Sequence, residues 1–337
     1  MKHALITGIT GQDGAYLAKF LLDKGYEVTG IVRNIASAGD KKFEYLGIRE
    51  KVKFLEADLA DMSNIIRVLE EGGFSEVYNL AAQSSVSLSF SQPIGTLEFN
   101  IISVANLLEA LRIVDPEIKF YQASSSEMYG NVDSGNLPVN ENSIFKPVSL
   151  YGISKASAHW ITNSYRQAYG LFAVCGILFN HESVFRKSNF VTKKIISAAV
   201  LIKRGLADSL TLGNLDVRRD WGYAPDYVRA MWLMLRQRAP EDIVICSGGE
   251  HSLREFVEVA FKQLGLDYRK YVKTDKKFCR PLDLEAIYGD NSKAKELLGW
   301  EYKISFEDLI ARLINDETAY LDWLAAVKKT DTAHGRG

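Results

Sequence analysis

Along the first half of the chain, short apolar runs alternate with stretches whose apolar residues recur at helical spacing. His3–Thr7 is a short run closed at once by Gly8 and predicts a strand. Asp13–Lys24 places Tyr16, Leu17, Phe20 and Leu21 on one face and predicts a helix that Gly25 ends. Glu27–Val32, Lys53–Glu56, Glu76–Leu80, Lys119–Ala123 and Ala173–Leu178 read as further strands. Ser63–Glu71, Ile101–Val114 and Ser154–Ala168 read as helices between them. This alternation predicts an α/β fold with a Rossmann-type, doubly wound parallel sheet and ligands at the carboxyl ends of its strands.

After about Asn180 the alternation loosens. Phe190–Gly205, Asp226–Arg238, Leu253–Leu264, Ser292–Leu298 and Ser305–Ala325 look helical, with short strands between them. The pattern predicts a sheet domain over 1–180 and, over 181–330, mainly a smaller, mixed C-terminal substrate lobe, some of whose strands and helices return to the first domain. Residues 331–337 read as a flexible tail. No Pro- or Gly-rich linker separates the two lobes, so they are expected to share an interface.

Composition narrows the function classes. The 337 residues carry a net charge of −1, so no global field favours nucleic acid or a membrane surface. No apolar run approaches the roughly 20 residues a membrane-spanning helix needs. Cys175, Cys246 and Cys279 are scattered without a CxxC, which argues against a disulfide framework and against a zinc site; no metal is expected. The first residues show no signal-peptide pattern. Together these lead to the expectation of a cytoplasmic protein whose nucleotide ligand is held by local positive charge.

Gly8-Ile9-Thr10-Gly11-Gln12-Asp13-Gly14 lies between the first strand and the first helix. Glycines there permit a tight turn and close approach of a pyrophosphate to the helix N-terminus. The spacing is GxxGxxG rather than GxGxxG. At the end of the second strand, Gly30-Ile31-Val32-Arg33-Asn34 lacks the acid that holds an NAD ribose; Arg33 is suited to a 2′-phosphate, so NADP is expected over NAD. Asp58-Leu59 follows the third strand and reads either as an adenine contact or as a helix cap.

Tyr151-Gly152-Ile153-Ser154-Lys155 is a YxxxK, whose ends share a helix face. An ammonium beside the phenol is expected to lower the tyrosine pKa and make it a base. Ser124-Ser125-Ser126-Glu127 follows the strand that ends at Ala123. Glu127 adds a carboxylate that hydride transfer alone does not need, although Ser followed by Glu also fits a helix cap.

With these motifs in place, the chain resembles the GDP-mannose 4,6-dehydratase family of the extended short-chain dehydrogenase/reductase superfamily along nearly its whole length. The resemblance rests on TGITGQDGAYLAKFLL, VYNLAAQSSV, FYQASSSEMYG, YGISKASAHWITNSYR, GILFNHES, FVTKKI, RRDWGYAPDYV and KELLGW. It implies a sugar-nucleotide 4,6-dehydratase that acts on GDP-mannose or a close GDP-sugar. The sugar is oxidised at C4, loses water across C5 and C6, and regains its hydride at C6. A 4-keto-6-deoxy-sugar reductase and a 4-epimerase are the alternatives within the same superfamily.

Residue by residue, the resemblance implies catalysis by Ser125, Glu127, Tyr151 and Lys155. It implies cofactor contacts at Gly8, Thr10, Gly11, Gln12, Asp13, Gly14, Arg33, Asp58, Leu59, Leu80, Ala81, Ala82, His181 and Arg186, with Tyr151 and Lys155 shared. Ser84, Ser85, Asn180, Lys194, Arg219 and Arg280 are implied substrate contacts, with Ser125 and Glu127 shared, and a homodimer or homotetramer is implied as the assembly. Ser126 stands where dTDP-glucose dehydratases have an aspartic acid, so Glu127 would be the one dehydration carboxylate. The sequence departs from the family in four places. Arg33 is followed by Asn34 rather than a second arginine; Phe185 precedes Arg186; Asp283 replaces the acid of RPxE; and Asn100-Ile101-Ile102 stands in place of DGxGT.

Overall fold

The computed structural model describes residues 2–37, 41–278 and 284–334. The chain opens β1 (His3–Thr7), α1 (Gln12–Asp23), β2 (Glu27–Val32), α2 (Lys41–Tyr45), β3 (Val52–Glu56), α3 (Met62–Gly72) and β4 (Glu76–Asn79). It continues α4 (Val86–Ser91), α5 (Pro93–Val114), β5 (Lys119–Ser125), α6 (Leu150–Tyr169), β6 (Ala173–Leu178) and β7 (Asn180–Glu182). Then follow α7 (Val191–Lys203), β8 (Leu210–Leu212), β9 (Arg218–Arg219), β10 (Trp221–Tyr223), α8 (Ala224–Met234) and β11 (Ile243–Ile245). The last elements are β12 (His251–Ser252), α9 (Leu253–Gln263), β13 (Val272–Thr274), β14 (Ala286–Ile287), α10 (Ser292–Leu298) and α11 (Phe306–His334).

Seven strands form one parallel sheet in the order β11-β6-β5-β4-β1-β2-β3. The order reverses between β1 and β4, which opens a crevice at their carboxyl ends. Alternation along β1 feeds two cores. Ala4 and Ile6 pack with α1 and α8, and Leu5 packs with α3 and α5. A separate core around Trp221, Phe256 and Phe261 holds α7, α9 and α11 together.

Three boundaries differ from the expected ones, each for a local reason. α5 begins at Pro93, because proline suits the first helical position, and runs through Asn100 rather than starting after it. α6 begins at Leu150, capped by Ser149 Oγ accepting from Gly152 N at 3.0 Å, so Tyr151 and Lys155 both lie near its start. β11 and α8, beyond residue 180, belong to the first sheet and its core. α11 runs to His334, into the stretch expected to be a tail, because no helix breaker precedes Gly335. No helix among the described residues is long and apolar enough to cross a membrane.

Candidate active site

The crevice is built first by glycine. Gly8 has φ +65°, and a Cβ there would lie 2.7 Å from Ala81 N. A Cβ on Gly14 would lie 2.5 Å from both Gly8 O and Ile9 Cα. The loop thus lies flat against Leu80 and Ala81 at the end of β4, where Thr7 Oγ accepts from both their amides at 3.2 and 3.1 Å. Gly11 precedes α1 in extended conformation and no side chain caps that helix, so its first amides face the crevice. This cradle, which any side chain would fill, fits the pyrophosphate of a dinucleotide.

Gln12, Asp13 and His181 meet at one end of this loop. Gln12 donates to His181 O at 2.9 Å and accepts from Ser183 Oγ at 2.8 Å. His181 places Nδ1 2.6 Å from Phe179 O and Nε2 2.9 Å from the Asp13 carboxylate. Both ring nitrogens face acceptors, so the ring is an imidazolium. Burial alone would lower the His181 pKa and raise that of Asp13, but their mutual attraction wins, and His181 is raised while Asp13 is lowered.

Arg33 is exposed at the end of β2. Asp58 is exposed after β3 and accepts from Ala60 N at 2.9 Å, a turn that leads toward α3, while Leu59 is buried. Half-buried Lys42, from α2, donates to Thr10 O at 2.7 Å and brings a cation to the glycine loop. The sequence reading missed it; its only signal was the basic pair Lys41-Lys42.

The residues expected to carry the chemistry meet at the end of β5 and the start of α6. Ser125 Oγ accepts from Glu127 N at 3.3 Å, capping a single turn, Ser126–Met128. A Cβ on Gly152 would lie 2.7 Å from Glu127 O, so the Glu127 turn presses on α6 beside Tyr151. Tyr151 is buried, and burial pushes its phenol up to about 12; Ser125 and Arg186 pull it down, and the Glu127 charge pushes it up. Lys155 is buried and pushed down to about 8 by that burial. The expected lowering of the tyrosine by the lysine is therefore corrected. Here burial is the largest influence on Tyr151, and the groups that favour the phenolate are Ser125 and Arg186.

Arg186 stacks on Phe190 at 3.8 Å and pairs with Glu182 at 3.3 Å. Phe185, which replaces an arginine of the family pattern, joins an aromatic cluster with Tyr16, Tyr45 and Tyr320. Asn180 donates to Asp220 O at 3.4 Å. Arg219 is buried and donates to Leu284 O at 2.8 Å. Lys194 lies 5.6 Å from the Phe278 ring. Ser84 and Ala82 follow β4, exposed and half-buried, and Ser85 caps α4 through Leu88 N. Arg280 lies outside the described residues. Asn100 is buried, accepting from Gln83 N at 2.8 Å and donating to Ser154 Oγ at 2.9 Å, so it ties the β4 loop to α6.

Residues 5–313 match the sequence profile of the family described as GDP-mannose 4,6 dehydratase. The chain belongs to that family. It is 45% identical to GDP-mannose 4,6 dehydratase 1 of Arabidopsis thaliana, over 94% of this chain and 90% of the relative. It is 42% identical to the Homo sapiens GDP-mannose 4,6 dehydratase, over 93% and 90%. The Thermus thermophilus UDP-glucose 4-epimerase, solved in complex with NAD, superposes with a TM-score of 0.80 at 27% identity, covering 94% of this chain and 98% of that one. Membership of the 4,6-dehydratase family makes the chain a hydro-lyase, and the reductase and epimerase alternatives give way to it.

Proposed function

We propose that this GDP-mannose 4,6-dehydratase family member dehydrates GDP-mannose, or a close GDP-sugar, with Tyr151 and Glu127 as its two proton-handling groups. The observation that supports the reading is the contact of the Glu127 backbone with Gly152, next to Tyr151, together with the influence of the Glu127 charge on the Tyr151 phenol. Tyr151 takes the C4 hydroxyl proton, with Ser125 orienting the phenol and Arg186 favouring its charged form. Lys155, one turn along α6, lies on the same face. Glu127 then removes the C5 proton, acidified by the C4 ketone, and helps the C6 hydroxyl leave as water. The glycine loop, the α1 amides and Arg33 would hold NADP, which when bound supplies the hydride acceptor for C4 and the hydride donor for C6.

Mass spectrometry of GDP-, UDP-, CDP- and dTDP-sugars incubated with the purified protein tests this. GDP-mannose is expected to lose one water, and Tyr151→Phe is expected to abolish that loss while nucleotide-sugar binding persists. Loss of water from a sugar on another nucleotide alone, or undiminished turnover by Tyr151→Phe, would overturn the assignment.

A further inference from the structure

Behind the site lies a second polar constellation that the reaction as derived does not use. Ser124 Oγ is 3.1 Å from His159 Nδ1, and His159 Nε2 is 3.6 Å from Asp242 Oδ2. Ser124 and His159 are 3% and 4% exposed. Asp242 also accepts from both terminal nitrogens of Arg166, at 2.8 and 2.9 Å, and from Cys175 N at 2.9 Å. The cluster therefore joins the end of β5, the middle of α6, the start of β6 and the residue before β11.

Two other readings of these groups fail on the same geometry. His159, Cys175 and Asp242 bring potential ligand atoms within 4.8 Å of one another. Yet Arg166 occupies both Asp242 oxygens, and its guanidinium would repel a cation there. Burial also lowers the His159 pKa, against the pull of Asp242. His159 Nδ1 is within hydrogen-bond reach of Ser124 Oγ, while Nε2 faces the carboxylate in a looser contact at 3.6 Å. The polarity is that of a serine nucleophile with its base, but the carboxylate that would complete such a triad is taken up by Arg166 on both oxygens.

What the cluster can do is hold position. Ser124 immediately precedes Ser125, and Glu127 follows two residues later; His159 lies one turn after Lys155 on α6. We propose that Asp242, His159 and Ser124 form a positioning relay that keeps the β5 end, with Ser125 and Glu127, in register with α6, with Tyr151 and Lys155. The inference rests on the roles proposed above for Glu127 and Tyr151. Dehydration needs both arms of the site on neighbouring carbons of one sugar, whereas C4 oxidation needs chiefly the α6 arm. A displacement of about 1 Å in such a site can cost on the order of a hundredfold. Loss of the relay should thus slow dehydration more than hydride transfer.

The test uses the cofactor-loaded protein mixed with GDP-mannose, following reduced-nicotinamide absorbance and 4-keto product together. Ser124→Ala is the mild variant and His159→Phe the severe one; His159→Asn restores a hydrogen-bonding group near the Nδ1 position. Ser124→Ala is expected to slow dehydration roughly tenfold or more while reduced cofactor builds up, with His159→Asn closer to wild type than His159→Phe. Equal slowing of both steps in Ser124→Ala, or no slowing of either, would overturn the relay while leaving the dehydratase reading intact. Glu127→Gln is the control: it should stall with reduced cofactor, and if it dehydrates normally, the Glu127 role falls and the relay with it.

Discussion

Arg33 shows what a single residue can disclose before any fold is known. It stands at the end of the second strand, where an acid would hold the ribose of NAD, and the structure leaves its side chain exposed there. A guanidinium bonded to a 2′-phosphate makes a charge-assisted, potentially bidentate contact. Arg33→Ala is therefore expected to narrow the preference for NADP over NAD by about tenfold or more, measured by titrating both cofactors. Equal affinities in the unaltered protein would refute the preference. Local motifs such as the glycine spacing and YxxxK were legible because their chemistry lies within a turn or two of chain. The roles of Arg219 and Asn180 were less so, because only the tertiary structure shows Arg219 donating to Leu284 O and Asn180 to Asp220 O. Lys42 was missed because its partner is a carbonyl 32 residues away, reached through α2.

Elements add what residues alone cannot. The start of α6 is fixed by Ser149, which puts Gly152 where the Glu127 turn crosses the helix. Gly152→Ala would set a Cβ 2.7 Å from Glu127 O and 3.1 Å from Pro147 Cβ. A backbone oxygen cannot rotate away like a side chain, so the turn itself must move. The expected result is a loss of about 1–3 kcal/mol in stability, read from denaturant melts, with a fall in dehydration larger than the folded fraction explains. A variant with wild-type dehydration would show that the contact is not needed for the carboxylate's position. The long periodic segments around α1, α3 and α9 were legible in the sequence, since their apolar faces repeat for several turns. β11 was not, because Ile243–Ile245 is a three-residue apolar run that becomes a strand only by pairing with β6.

At the scale of the whole molecule, one imidazolium ties the glycine loop to the segment beyond α6. His181 bonds Asp13 on α1, stacks on Tyr227 of α8 at 4.6 Å, and sits in β7. The charged and titratable groups acting on this ring and its partner are Asp13 and Arg186, with Tyr227 against its face. Because the folded His181 pKa is raised above the unfolded value of about 6.5, its contribution to stability is fully present below that pH. It is lost as pH rises through the folded value. The lowered Asp13 pKa works in the opposite sense, its contribution failing only as pH falls through the folded carboxyl value. The pair is thus intact between those limits and weakens on the alkaline side. His181→Gln keeps a polar side chain but removes the charge, leaving half-buried Asp13 without this cation, at a cost of about 1–3 kcal/mol. Melting temperatures from about pH 6 to about pH 9 should fall more steeply for wild type than for His181→Gln, since only wild type has this proton to lose. Parallel curves would mean that the imidazolium does not couple the loop to the rest of the fold. A variant that also releases its dinucleotide faster on gel filtration would show that the coupling reaches the cradle formed by Gly8 and Gly14.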